Sequence, residues 1–323
     1  MRLTNPWQII PRSTQNLNIL RVDANHPLEF FWSVDKLGNY LFICNELTCK
    51  TIPVFPELQG IKVALPQGKS DGVRQFALLL KDNSEWELFY AICNDIVECT
   101  RQATSDTGLA IILRRLGNWH QFLRREKSGL LNEEQIKGLL GELIFIRKWL
   151  APSFGWDKAI SFWCGPLGTP QDFSVDDAVI EVKAQLSVTR AEVKISSAEQ
   201  LTPQANRMHL HVLTFGKASE KNDDTYSLPD LVHEIRTVLI QSPDVLEMFS
   251  ELLLDVGYVD SQHYESYVYT LVDENTYEVK EGFPRITTSY LPSGIVKINY
   301  NISLEDCAGF KGVPDWMEKV NHE

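Results

Sequence analysis

No stretch of the 323 residues is apolar enough to span a bilayer, so a helical membrane protein is not expected. The first residues show no basic start followed by an apolar core, and no secretory signal is expected. Cysteine is sparse: there are six, none in a Cys-X-X-Cys pair, and their spacings match no zinc pattern. A reducing cytoplasm with free thiols is the expected setting. Positive charge is in deficit, with 31 Lys and Arg against 43 Asp and Glu and a net charge of −12. That balance argues against non-specific nucleic-acid binding over the whole surface. It leaves room for a local basic groove, because residues 101–150 carry nine Lys and Arg against five Asp and Glu. No low-complexity run or internal repeat is present.

The length suits two domains. Residues 1–100 read as a β-rich N-terminal domain. Leu28–Val34 and Tyr40–Cys44 are apolar runs joined by a hairpin-like Asp35–Asn39. Phe76–Leu80 and Trp86–Ile92 repeat that plan as two further strands. His26 reads as a surface-loop histidine. Target recognition and dimer contact, hence a homodimer, are the two roles open to this domain. From residue 101 the pattern changes to helical spacing, through Leu109, Ile112, Leu116 and Trp119, with Gly129 as a stop.

The chemistry concentrates in Asp172–Lys183. Val179–Ala184 predicts a strand, on which Glu181 and Lys183 share one face and Ile180, Val182 and Ala184 the other. A turn between Ser174 and Ala178 would bring Asp172 beside Glu181 on a neighbouring antiparallel strand. Two converging carboxylates suit a hard cation such as Mg²⁺. A lysine beside them can orient or deprotonate water, or stabilise charge developing on phosphate. One helix earlier, Asn132 and Gln135 form a capping-box pattern, and Ile136, Leu139, Leu140, Leu143 and Ile146 make an apolar face. Glu142 is a misfit there, since its helical neighbours are uncharged and a buried carboxylate needs a partner. Gly138 and Gly141 would let another backbone approach. Trp156–Trp163 reads as a short strand, Glu192–Ile195 as a strand pairing back on the Glu181 strand, and Ile195–Leu201 as the start of a helix. The strand around Glu181 is expected to run on through Leu186 and Val188. His209 and His211 on the strand Met208–Phe215 read as polar positions near a cleft rather than a zinc pair. The helices 229–240 and 242–257 follow, then strands at Tyr264–Val272 and Gly294–Tyr300.

Asp172, followed by Glu181-Val182-Lys183 on a hairpin, resembles the catalytic core of the PD-(D/E)XK nuclease superfamily. Gln171 stands where that pattern usually has Pro, with Pro170 one residue earlier. The resemblance implies a restriction-endonuclease-like core of order α-β-β-β-α-β over residues 132–216, inside a nuclease domain 101–323 with C-terminal helical and β additions. The whole is thus α+β or α/β in class. It also implies that Asp172 and Glu181 bind Mg²⁺ or Mn²⁺, that Glu142 is an additional acidic ligand, that Lys183 is catalytic and that Gln200 assists. Together with Gly141-Glu142-Leu143, Glu199-Gln200-Leu201 and Phe283-Pro284-Arg285-Ile286, the pattern also resembles an uncharacterised restriction-like PD-(D/E)XK family. Such families occur beside DNA methyltransferases and helicase-like proteins in defence loci. The implied function is a metal-dependent DNA endonuclease. The alternatives are an inactive nuclease-fold scaffold that binds DNA or protein and, more distantly, a hydrolase of small phosphoesters.

Overall fold

The computed structural model describes residues 4–12, 17–49, 51, 53–68, 70–124, 130–187, 190–202, 205–287, 291–295 and 297–320. Gly129, Val188 and Val296, which entered the sequence expectations, lie outside them. The chain forms a mixed α and β structure that divides into two compact units. One comprises 1–130 with 259–262, the other 131–258 with 263–323. The compact boundary therefore falls after Leu130, beyond the change of pattern at residue 100.

The first unit contains an antiparallel sheet of β1 (Asn18–Arg21), β2 (Glu29–Val34), β3 (Tyr40–Thr48), β4 (Ile61–Ala64) and β5 (Val73–Leu80), ordered β1-β2-β3-β5-β4. Asp35 shapes the β2–β3 turn: its Oδ1 accepts from the amides of Leu37 and Asn39, both at 2.8 Å. Trp86–Ile92, expected as a strand, instead forms the first half of α1 (Trp86–Cys99). Aromatic and β-branched residues suit strands, but the buried residues continue as Phe89, Ile92, Cys93, Ile96 and Val97, which is helical spacing. α2 (Gly108–Arg124) follows. His26 is buried rather than on a surface loop. Its Nδ1 accepts from the Leu28 amide at 3.0 Å, and its Nε2 lies 2.9 Å from the Val97 carbonyl.

In the second unit, α3 (Glu133–Phe145) opens with the expected capping box between Asn132 and Gln135. It continues through a π turn, Ile146–Leu150, into α4 (Ala151–Phe154) and then α5 (Trp156–Ser161). The expected strand at 156–163 is therefore mostly helix. Gly155, at φ 80, starts α5, which buries Ala159 and Ile160. Only Trp163 makes a β bridge, to Phe173. β6 (Phe173–Val175), β7 (Ala178–Leu186), β9 (Arg207–Lys217), β10 (Thr225–Ser227) and β11 (Val268–Glu278) form a sheet ordered β10-β11-β9-β7-β6. β7 and β9 are parallel and the other neighbours antiparallel. β8 (Glu192–Ile195) does not return to β7; it pairs with β12 (Tyr300–Ser303) in a separate sheet.

The helix expected after Ile195 is a single 3-10 turn, Ala198–Leu201. Thr202 is extended, as the residue before a proline prefers, and stops it. Residues 262–266 form a 3-10 turn before β11, and the strand expected at 294–300 begins only at Tyr300. α6 (Leu228–Leu239), α7 (Pro243–Asp255) and α8 (Asp315–Val320) complete the unit.

α3 lies against the face of β7 that carries Ile180, Val182 and Ala184, in the main core of this unit. A Cβ at Gly141 would meet Ala184 Cβ and Leu213 Cδ1 at 3.4 Å, an ordinary van der Waals contact, so the space between helix and sheet here admits a methyl group and little more. Gly138 has no such role, because a Cβ there would meet nothing within 4 Å. Gly141→Val is expected to destabilise the protein by about 1–3 kcal/mol through overpacking. Gly138→Ala should be neutral or stabilising by up to about 1 kcal/mol. Urea unfolding of both variants checks the contrast.

Candidate functional site

The site grows out of the β6–β7 hairpin. Asp176, at φ 50, and Asp177 make the reversal, and Phe173 pairs with Ile180. One step further along that register, Asp172 comes level with Glu181. Asp172 Oδ2 accepts from the Val182 amide at 2.7 Å. Its carbonyl accepts from the amides of Cys164 and Gly165, both at 2.9 Å. Gly165 makes that approach possible, since a Cβ there would stand 3.0 Å from Asp172 Oδ1. Lys183 Nζ donates to Glu181 Oε1 at 2.5 Å. Glu181 is fully buried, and its Oε2 has no hydrogen-bond partner.

Glu142 enters from α3. Its Oε2 accepts from Trp163 Nε1 at 2.6 Å; it feels the charges of Asp172 and Lys183, and its own acts on Glu181 and Lys183. The misfit on the apolar helix face thus has an indole partner. Sequence reading missed Trp163 as a site residue. The available signal was that a buried tryptophan needs an acceptor for its N–H. Gln171 was missed too. It is buried, and its Nε2 donates to the carbonyls of Glu199, Thr202 and Gln200 at 2.8, 3.2 and 3.4 Å. The Gln200 side chain is not brought to the carboxylates: its Oε1 accepts from the Ser196 amide at 2.7 Å and closes its own turn.

Electrostatically, the cluster holds more negative charge than its donors meet. Burial, followed by the Asp172 charge, pushes the Glu142 carboxyl up to about 8. Burial and Asp172 likewise hold Glu181 well above the ordinary carboxylate range. Asp172 is raised by burial, against the opposing pull of Lys183 and the Val182 amide. Burial alone would lower Lys183, but Glu181 and Asp172 outweigh it and keep the ammonium above its ordinary value.

His209 and His211 are both buried, and they belong elsewhere. His211 Nδ1 lies 2.8 Å from Thr276 Oγ1 and its Nε2 lies 3.0 Å from Glu274 Oε1. Glu274 also accepts from Lys148 Nζ and, at 2.5 Å, from Trp149 Nε1. Against the effect of burial, His211, Lys148 and Trp149 push that carboxyl down to about 2.

A family model described as "Putative PD-(D/E)XK family member", DUF4420, matches residues 3–305. The chain belongs to the DUF4420 family. No curated protein and no solved structure matches it. No helix among the described residues of this DUF4420 chain is long and apolar enough to cross a membrane.

The PD-(D/E)XK kinship implies a divalent ion, and the donor set can be tested for fit. Among the described residues no three acidic, histidine or cysteine side chains already converge on one point. The chemistry of the donors nevertheless fits a hard cation. Each carboxylate has one oxygen tied by a protein donor, and the second oxygen of Glu181 is buried with nothing to bind.

Two outcomes follow for the DUF4420 chain. Trp163→Phe leaves Glu142 Oε2 without its donor. It should cost about 1–3 kcal/mol in urea unfolding and roughly 10–100-fold in Mn²⁺ affinity by calorimetry. The second concerns pH. A carboxyl with a higher pKa folded than unfolded keeps a proton that the unfolded chain has released. Metal-free stability should therefore be full below about pH 4.5 as far as Glu142 is concerned, and fall as pH rises towards about 8. Melting curves across that window check this, and Glu142→Gln should flatten the slope.

Proposed function

We propose that the chain is a metal-dependent DNA endonuclease that hydrolyses phosphodiester bonds. One observation carries this reading: the hairpin sets Asp172 level with Glu181, Lys183 closes on Glu181, and Glu142 from α3 lies near enough for its charge to act on Glu181 and Lys183. Asp172 and Glu181 would hold Mg²⁺ or Mn²⁺, with Glu142 as the third acidic group. When bound, such an ion supplies Lewis acidity towards a phosphoryl oxygen and a more acidic water.

Lys183 is held protonated by its carboxylate neighbours. It is therefore suited to donate to water or to the developing phosphorane charge rather than to act as the base. The Val182 amide fixes Asp172 and the Trp163 indole fixes Glu142, so two of the acidic groups are oriented before substrate arrives. Gln200 would assist only through the turn it closes. Restriction-like kinship supports DNA as the polymer, a defence role, and methyltransferase- or helicase-like partners. The first unit is the place for target recognition or self-association.

A second reading, a non-catalytic nuclease-fold scaffold, is favoured by one contact. Lys183 is closed directly onto Glu181 at 2.5 Å, which sets one charge against the other without an ion. Cleavage of plasmid and linear DNA in Mg²⁺ or Mn²⁺ separates the two. On the nuclease reading, Lys183→Ala and Glu181→Ala each lower the rate by about 10²-fold or more. Cleavage that survives both substitutions removes this centre from the chemistry, and DNA binding without cleavage by the wild type supports the scaffold.

A further inference from the structure

The 3-10 turn at Ala198–Leu201 is gripped from two sides. Gln171, next to Asp172, takes the carbonyls of Glu199, Gln200 and Thr202. The carbonyl left between them, Leu201, accepts from Arg285 Nη1 at 3.0 Å. Arg285 is thus tied to the residue beside Asp172 through one short turn. Its guanidinium has five N–H groups and uses one of them there. Arg285 is half-buried and makes no ion pair with a described carboxylate. Several other cations of this unit are engaged with carboxylates: Lys183 with Glu181, Arg207 with Asp177 and Asp315, Lys194 with Glu134, and Lys280 with Glu278.

The charge count shows why this matters. Ionised, Asp172, Glu181 and Glu142 against Lys183 leave two negative charges, which one divalent ion cancels. An incoming phosphodiester adds a negative charge that no group of the centre then meets. An arginine fork with one N–H anchored and the rest open is the ordinary protein answer to a phosphate.

We propose that Arg285 is a substrate-binding residue whose N–H groups not used on Leu201, without a carboxylate partner among the described residues, hold a backbone phosphate of a DNA strand engaged at the carboxylate centre. The inference rests on the nuclease reading above. It also gives a role to the Phe283–Ile286 segment, which that reading does not use.

The test is binding of a labelled DNA duplex by the full chain, with Ca²⁺ replacing Mg²⁺, across about 50 to 200 mM salt. Arg285→Gln retains a donor for Leu201 and removes the charge; Arg285→Lys retains the charge. Arg285→Gln should bind roughly tenfold more weakly or worse, with the slope of log affinity against log salt flattened by about 0.9. Arg285→Lys should keep the wild-type slope. Mn²⁺ calorimetry on both should match the wild type. A wild-type slope in Arg285→Gln overturns the assignment, whether or not affinity falls. Loss of Mn²⁺ binding in Arg285→Gln also overturns it, by making Arg285 a support of the centre. A wild type that binds no duplex overturns the nuclease reading and this inference together.

Discussion

The structure turns on three carboxylates, Glu181 buried and Asp172 and Glu142 half-buried, beside one ammonium. Removing a charge from water is costly unless partners replace the hydration. Here each carboxylate receives one strong donor: the Val182 amide for Asp172, Lys183 for Glu181, and the Trp163 indole for Glu142. None is fully satisfied, and Glu181 Oε2 is enclosed without any partner. Much of the second unit serves to impose this arrangement. Gly165 admits Asp172, and the bridge from Trp163 to Phe173 ties the residue whose indole meets Glu142 to the start of the hairpin. A fold optimised for stability alone would place apolar side chains at these points. Stored proton affinity and one orphaned oxygen are the marks of a centre that is completed by something else.

Legibility in the sequence followed the range of the interaction. Asp172, Glu181 and Lys183 could be brought together on paper because strand alternation and a tight reversal are local rules. Glu142 could be singled out because a lone charge among Leu and Ile on a helix is a local anomaly. Its partner could not, since Trp163 lies 21 residues away and is positioned by a loop. The segments misjudged as strands, Trp86–Ile92 and Trp156–Trp163, are rich in aromatic and branched residues that score well for strands. In both, burial at helical spacing and a local start signal overrode that preference. For the first the signal is the 3-10 turn Asn83–Glu85, capped by Asp82 accepting from the Ser84 amide at 3.0 Å, which runs directly into α1, and for the second it is Gly155 at positive φ.

Gln171 shows how a departure from the expected pattern can be informative. A proline at that position would have no side-chain donor. Glutamine there threads one amide group into three carbonyls of the 198–202 turn, and so joins the hairpin to the segment that was expected to be a helix. That turn is too short to carry a catalytic helix face, and the Gln200 side chain is spent on closing it. Its contribution is mechanical: it sets the backbone on which the residue before Asp172 is held.

The same charges constrain the order of events. With a net charge of −12 on the chain and an excess of buried carboxylate at the centre, a polyanion meets repulsion as long as the cluster is ionised and bare. Protonation relieves that excess in the metal-free protein, which is what the raised carboxyl groups express. On the proposed nuclease reading, a divalent cation held by Asp172, Glu181 and Glu142 would relieve it differently, by matching the two negative charges left once Lys183 is counted. On that reading cation and polynucleotide would favour each other's binding, because the coupling between two ligands at one centre is reciprocal. Lys183 cannot perform this neutralisation alone, since one ammonium faces three carboxylates. Its contact with Glu181 occupies one oxygen of that carboxylate, so on the same reading a cation and the Lys183 ammonium would have to share Glu181.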